Sequence, residues 1–570
     1  MRRYQLLMQN FNYDKLKKYA GEKLIDHLIE WLPNNTSIYQ KSILISIIEK
    51  INLNDLLSKK EFMKDILSAS SVSDICNLCL ENGVAIDKQR PELMINKLVN
   101  NPWKRSKINE SIVNYLEIPF DPFALSEVYS IKPLEYIENS ERFYELFDYQ
   151  FFIKQRALNI LNSANYLERL LIHMPTGTGK TKTASHIICN YIVNSMHKKG
   201  LVIWIAHSQE LLNQAIDTFS KTWKHLGNGE LSIFRLWNNH VLPSDFKDGI
   251  VFCGVQKLIS IKNNDPQAFA QLHDLARLII FDEAHRALAS ETMDVVEKLM
   301  IKMPHDEDRS LIGLTATPGR DSDIDSEENR RLAAMFGSNL LNIDIDLVEG
   351  LNKSNLEVLN SATEKNIIRY LQNRKILSKL IVEKVEYQKD FTSKQINALK
   401  KYIKANKNID YSPKQLQILA ENKARNKTII NTIKKYADMG CPIIVFAISV
   451  EHAKILSAML TLDSYNNSLV VGESSCNREE AIRKFKDPDD DTNIIINYGV
   501  LTTGFDSTNI KCVFITRPTK SIVLYSQMVG RGLRGPLMGG NEECYLVDIK
   551  ENIEGFNNEE IFDYFANYWK

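Results

Sequence analysis

The chain has 570 residues, 44% of them apolar and 25% charged, and its 71 Lys and Arg cancel its 71 Asp and Glu. That length leaves room for about three or four domains at roughly 100–200 residues each, and the composition excludes disordered and collagen-like chains. No apolar run approaches the ~20 residues of a spanning helix and no signal-peptide core follows Met1, so a cytoplasmic protein with no membrane partner is expected.

Residues 1–100 carry helical periodicity. Leu24, Ile25, Leu28, Ile29 and Leu32 precede Pro33, and Ile43, Leu44, Ile47, Ile48 and Ile51 repeat the pattern, which predicts an N-terminal all-helical accessory domain. Cys76 and Cys79 form a CxxC on the same stripe as Val72 and Ile75, a placement that suits core packing rather than metal or redox chemistry. Four prolines from Pro102 to Pro133 mark residues 101–144 as a linker.

From residue 145 the texture changes. Short apolar runs, Leu170–Ile172, Leu201–Ala206, Ile250–Cys253, Leu278–Phe281 and Leu311–Leu314, alternate with amphipathic stretches. A second series follows at Ile443–Phe446, Ile494–Ile496, Cys512–Thr516 and Cys544–Val547. Parallel sheets covered by helices read this way, so two α/β domains are predicted, at 145–340 and 341–570. Residues 365–435 hold 18 Lys or Arg against 5 Asp or Glu, a local net of +13. This predicts a basic helical insertion at about 365–430, either a solvated face or a surface beside a nucleic-acid track.

Pro175-Thr176-Gly177-Thr178-Gly179-Lys180-Thr181 stands between an apolar strand and a helical run, the context of a phosphate loop. The backbone from Thr176 to Gly179 would face the phosphates, Lys180 would reach the β- and γ-phosphates, and Thr181 would hold Mg²⁺. The loop lacks the first glycine of GxxxxGK[ST]. Asp282-Glu283-Ala284-His285 follows the strand Leu278–Phe281, where a carboxylate emerges at the C-terminal edge of the sheet. Asp282 fits as a Mg²⁺ partner and Glu283 as the base for an attacking water.

These blocks, with Thr315-Ala316-Thr317-Pro318, Thr502-Thr503-Gly504-Phe505-Asp506 and Gln527-Met528-Val529-Gly530-Arg531-Gly532-Leu533-Arg534, resemble in order motifs I, II, III, V and VI of superfamily-two DEAH-box helicases and translocases. With Arg517-Pro518-Thr519-Lys520-Ser521 ahead of the last block, residues 145–550 are similar to the type III restriction-subunit-like (ResIII) branch, which includes the RadD-type repair ATPases. The resemblance implies two tandem RecA-like domains, ATP and Mg²⁺ as cofactors, and DNA as the partner, with RNA as the alternative. Leu146-Phe147-Asp148-Tyr149-Gln150 resembles the family's LRPYQ element, with Phe147 and Asp148 in place of Arg-Pro, and implies that Gln150 reads the adenine edge.

By the same resemblance His207, Ser208, Gln209, Gln256, Thr502 and Thr503 would meet nucleic acid, while Gly504 and Asp506 would lie between nucleotide and strand. His285, Thr315, Thr317 and Gln527 would couple the two sites. Arg531 and Arg534 would join Lys180 and Glu283 in the catalytic set: arginines at i and i+3 share a helix face and can reach the γ-phosphate when a cleft closes. The expected function is an ATP-dependent DNA helicase or translocase, such as the motor of a repair or phage-defence system, with a protein partner docked on the helical domain. The rivals are an RNA helicase and an ATP-gated clamp or sensor. An idle site has no need of Glu283, Arg531 and Arg534 together.

Overall fold

The structure is a computed structural model that describes residues 1–28, 37–123, 134–137, 145–162, 169–196, 199–301, 309–316, 327–344, 348, 367–388, 391–401, 411–472, 475–487, 490–502, 505, 507–519 and 521–551. Strands β1 (Leu134–Ile137), β2 (Arg169–His173), β3 (Leu201–Ala206), β4 (Leu231–Leu236), β5 (Gly249–Gly254), β6 (Ala276–Asp282), β7 (Ser310–Thr315) and β8 (Leu340–Leu341) form one series. The second series is β9 (Lys379–Val385), β10 (Ile443–Phe446), β11 (Ser468–Val471), β12 (Ile494–Tyr498), β13 (Cys512–Ile515) and β14 (Glu543–Ile549). The chain divides into two compact units: Met1–Tyr129 with Glu386–Ala398 and Ser412–Val500, and Ser130–Val385 with Leu399–Tyr411 and Leu501–Lys570.

In the first unit the N-terminal segment is helical, as its periodicity predicts, and Leu24, Ile25 and Leu28 are buried on the helix Glu22–Leu28. That helix packs on the helix Val450–Leu462. His27 Nε2 lies 2.9 Å from the Glu421 carbonyl, and Lys454 Nζ donates to Asn52 Oδ1 at 3.1 Å. The helical segment thus shares a core with the α/β layer of β10, β12 and β11, whose strands pair in parallel. Cys76 and Cys79 are buried free thiols on the helix Val72–Glu81.

The expected linker holds more structure than its prolines suggest. A helix, Lys107–Leu116, starts where the Ser106 side chain accepts from Asn109 N and buries Ile112 and Leu116, and β1 then pairs antiparallel with β4. The stripe Ile108, Ile112, Leu116 is a helical repeat that the flanking prolines obscure.

In the second unit a sheet runs in the order β1-β4-β5-β3-β6-β7-β2-β8, parallel apart from β1. Every residue of the central strand β3, LVIWIA, is buried. A strand covered on both faces is apolar throughout rather than alternating, which is how its sequence reads. Gly313 on β7 lacks a side chain because Leu171 and Phe336 fill the space: a Cβ there would stand 2.6 Å from carbons of both. β3, β6, β7 and β2 are neighbours, with Ile205 opposite Phe281, Asp282 opposite Leu314 and His173 opposite Thr315. The segments that follow these four strands therefore leave one edge side by side, where open parallel sheets place their ligands.

The same unit contains β13, β14 and β9, also paired in parallel. Here one stretch of the expected basic helical insertion is a strand instead. Lys379–Val385 is a strand in register with Glu543–Ile549, because its run Leu380-Ile381-Val382 satisfies a ladder better than a helix face. Helices Ile367–Asn373, Ser393–Lys401, Pro413–Ala420 and Lys423–Asp438 account for other parts of that span.

Candidate functional site

The phosphate-loop segment leaves β2 at His173 and turns into the helix Lys180–Asn194. Gly177 and Gly179 take φ of 84° and 82°, the left-handed region that a side chain resists. Thr178 closes the turn: its hydroxyl donates to the Pro175 carbonyl at 2.7 Å, and its own carbonyl accepts from Gln150 Nε2 at 2.8 Å and the Tyr149 hydroxyl at 2.9 Å. Lys180 folds back over the loop, with Nζ donating to Met174 O at 3.1 Å and Pro175 O at 3.4 Å. Burial lowers the Lys180 pKa, while Glu283 and Asp282 raise it and Arg531 lowers it further. Thr176 and Thr181 are partly exposed, and Thr176 packs so closely on Gly530 that a Cβ there would lie 2.6 Å from its methyl.

Gln150 is fully buried. Its Oε1 accepts from Phe147 N at 3.0 Å while its Nε2 serves Thr178, so its amide braces the loop rather than lying open toward a base.

Asp282 ends β6, Glu283 follows at φ 53°, and Ala284–Arg286 form one 3₁₀ turn. Burial and the neighbouring Glu283 push the Asp282 carboxyl up to about 7, with Lys180 opposing them. His285 links three groups. Nδ1 lies 3.3 Å from Glu283 Oε2 and 3.4 Å from Thr315 Oγ1, and Nε2 accepts from Gln527 Nε2 at 3.4 Å. With the amide donating, the ring proton sits on Nδ1, facing Glu283 and Thr315.

The arginines differ from expectation in one respect. The helix Ile522–Val529 ends at Gly530, so Arg531 and Arg534 lie in the turn beyond it rather than on one helical face. Gly530 and Gly532 let that turn pack tightly, Gly530 on Thr176 and Gly532 on Cys544 and Val513. Arg531 donates to the Thr502 carbonyl through Nη2 at 2.6 Å and to the Phe505 carbonyl through Nη1 at 2.5 Å. Arg534 bridges to Leu377, and its Cγ stands 3.7 Å from where a Cβ of Gly177 would be.

The expected nucleic-acid residues have varied surroundings. The Ser208 side chain caps the helix Gln209–Leu226, Gln209 Oε1 accepts from Asn238 at 2.9 Å, Thr502 is buried and Gln256 is exposed. His207 lies edge-on to Phe281, with ring centroids 5.7 Å apart, and its Nε2 is a buried atom without a hydrogen-bond partner. Burial, then Arg286 and His285, push its pKa down to about 4. Thr317, Thr503, Gly504 and Asp506 lie outside the described residues. Tyr149, Asp148 and Arg374 belong to the site's framework without having been expected there. Asp148 stands where the LRPYQ element is broken, and Tyr370 and Arg374, an i, i+4 aromatic–cation pair, were the signal for the last.

A glycine loop between strand and helix, with acids at the end of another parallel strand of the same sheet, defines a phosphate-loop α/β protein. The family described as "Type III restriction enzyme, res subunit" matches residues 143–320, and "Helicase conserved C-terminal domain" matches residues 424–535. Residues 143–320 and 424–535 thus carry the domain pair of a superfamily-two helicase of the ResIII-like branch. IRC3 of Saccharomyces cerevisiae is 25% identical over 394 residues, covering 67% of this chain and 48% of that protein. The "ATP-dependent DNA helicase MPH1" of Scheffersomyces stipitis is 26% identical over 260 residues, 43% of this chain and 20% of its own length. The "Type I restriction enzyme EcoAI endonuclease subunit" of Escherichia coli is 24% identical over 415 residues, 70% of this chain and 45% of its own. The chain thus spans at most about half the length of each of these relatives.

Proposed function

We propose that the chain is an ATP- and Mg²⁺-dependent DEAH-type motor that translocates on or unwinds nucleic acid, with DNA favoured over RNA. The observation that carries this reading is the convergence on one sheet edge of the phosphate loop, the acidic turn after β6 and Gln527, which reaches His285. A triphosphate on the loop would replace the Met174 and Pro175 carbonyls as partner of Lys180. Its γ-phosphate would face Glu283, whose carboxylate can orient and deprotonate water: its Oε2 is buried without a hydrogen-bond partner, with His285 Nδ1 3.3 Å away and hydrogen-bonded to Thr315. His285 also touches Thr315 and Gln527, so a shift of either strand end or helix changes the setting of the base.

The donor set suits Mg²⁺. Asp282 is a buried carboxyl directly followed by the carboxylate of Glu283, an all-oxygen set to which a threonine hydroxyl and substrate phosphates would add the remaining oxygens. Asp282 and Thr181 would hold the ion, which when bound neutralises phosphate charge. Arg531 and Arg534 would contribute guanidinium charge to the transferring phosphoryl group.

The match to the ResIII family and the name of MPH1 support DNA as the substrate. A protein partner on the helical segment, a repair or phage-defence role and a cytoplasmic location belong to the same proposal; among the described residues no helix is long and apolar enough to cross a membrane. The test is steady-state ATP hydrolysis with single-stranded DNA, duplex DNA and RNA in parallel, followed by strand-displacement assays with whichever polymer stimulates.

A further inference from the structure

The first turn of the helix Asp148–Leu161 grips the phosphate loop at one atom, the Thr178 carbonyl, through Tyr149 and Gln150. The residue just before them, Asp148, stands where the family element LRPYQ has proline. Arg374 Nη1 lies 2.6 and 2.8 Å from the two Asp148 oxygens and 2.7 Å from the Tyr370 hydroxyl. Asp148 Oδ1 also accepts from Tyr149 N at 2.8 Å, which ties the carboxylate to the backbone of the gripping turn. Arg374 is anchored in turn, its guanidinium carbon 5.4 Å from the Tyr370 ring centre, and Tyr370 is nearly buried. Three residues on, Leu377 reaches the loop directly, 3.4 Å from the Cβ position of Gly177. The segment 370–377 therefore meets the phosphate loop at Gly177 through Leu377 and at Thr178 through Asp148.

We infer that Asp148 and Arg374 form a positioning pair for the nucleotide: the ion pair fixes the turn that holds the Thr178 carbonyl, and so sets the backbone N–H cradle that would receive the phosphates. The inference rests on the nucleotide-binding part of the proposed function. A carboxylate in the first turn of a helix is stabilised by the helix dipole, and a planar guanidinium that bridges it to a tyrosine hydroxyl fixes its direction as well as its charge. Both side chains retain about a quarter to a third of their exposure, 25% and 33%, so solvent screens the pair and the effect is moderate.

The test measures binding of a fluorescent ATP analogue and the KM and kcat of hydrolysis for the full chain, for Asp148→Asn, for Arg374→Gln and for the double variant, each checked by thermal unfolding. The pair predicts an affinity loss of about tenfold in each single variant, equivalent to about 1.4 kcal/mol. KM should rise more than kcat falls, and the double variant should be no worse than either single one. Arg374→Lys keeps the charge but loses the planar group that lies against the Tyr370 ring and fixes the direction of Nη1, and should fall in between. Unchanged affinity in the folded single variants, or losses that multiply in the double variant, would overturn the inference. A wild-type chain that binds no nucleotide would overturn it together with the proposed function, whereas binding without stimulation by nucleic acid would defeat the motor alone.

Discussion

Gln150 offers a sharp choice between two kinds of work. If it reads adenine, replacing it with alanine should erase the preference for ATP over GTP. The geometry predicts otherwise, because both ends of its amide are engaged with backbone, Phe147 N at 3.0 Å and Thr178 O at 2.8 Å. Each buried hydrogen bond contributes about 1 kcal/mol net, so Gln150→Ala should cost about 2 kcal/mol between loop order and global stability. Thr178 O keeps the Tyr149 hydroxyl, which moderates the loss. If the whole cost fell on the bound form, nucleotide affinity would drop about thirtyfold. It should drop for ATP and GTP alike, since the brace acts on the phosphate cradle. Tyr149→Phe should show the same base-independent loss at about half the free energy. The assay is competitive titration of ATP, GTP and tripolyphosphate against a fluorescent nucleotide. Loss of ATP affinity with GTP and tripolyphosphate unchanged would refute the reasoning and restore Gln150 as the base reader.

Other outcomes follow from the same geometry. Glu283→Gln should lower kcat by about 10²–10⁴ yet retain bound ATP, whereas Lys180→Ala should lose both turnover and affinity; equal affinities for the two in nucleotide titrations would contradict their roles. Gly313→Ala should destabilise by about 1–3 kcal/mol in denaturant melts, because the new methyl would stand 2.6 Å from Leu171 and Phe336 carbons. His207 titrates near 6.5 when unfolded and at about 4 in the fold. Below pH 6.5 only the unfolded chain takes up that proton, so stability should fall as pH drops from about 6.5 toward 4. His207→Gln should remove on the order of 2 kcal/mol of this acid-side loss, measured by denaturant unfolding across that range.

Much of this was legible in the sequence because burial and motif spacing leave direct marks. β3 reads as an uninterrupted apolar run since both its faces are covered, and the phosphate loop announces itself through two glycines that must take positive φ. The strand β9 is hidden because its run Leu380-Ile381-Val382 is framed by charges, Lys379 before it and Glu383-Lys384 after it, so charge outweighs a short apolar run whose partner, β14, lies more than 150 residues away. The spacing of Arg531 and Arg534 suits a helix face because spacing alone does not register what Gly530 and Gly532 permit. The i, i+4 spacing to Tyr370 marks Arg374 but not its partner: Asp148 is 226 residues distant, and only the fold brings them together.

The central claim is that ATP turnover serves movement on nucleic acid, and the direct measurement is steady-state hydrolysis by the wild-type chain with and without single-stranded DNA, duplex DNA and RNA. The account predicts a rate raised by DNA, and an Arg531→Ala chain that binds DNA nearly as well by fluorescence anisotropy while losing the stimulated rate, because its guanidinium supplies charge to the phosphoryl group rather than grip on the strand. A wild-type rate indifferent to every polymer offered would contradict it and favour an ATP-gated clamp or sensor.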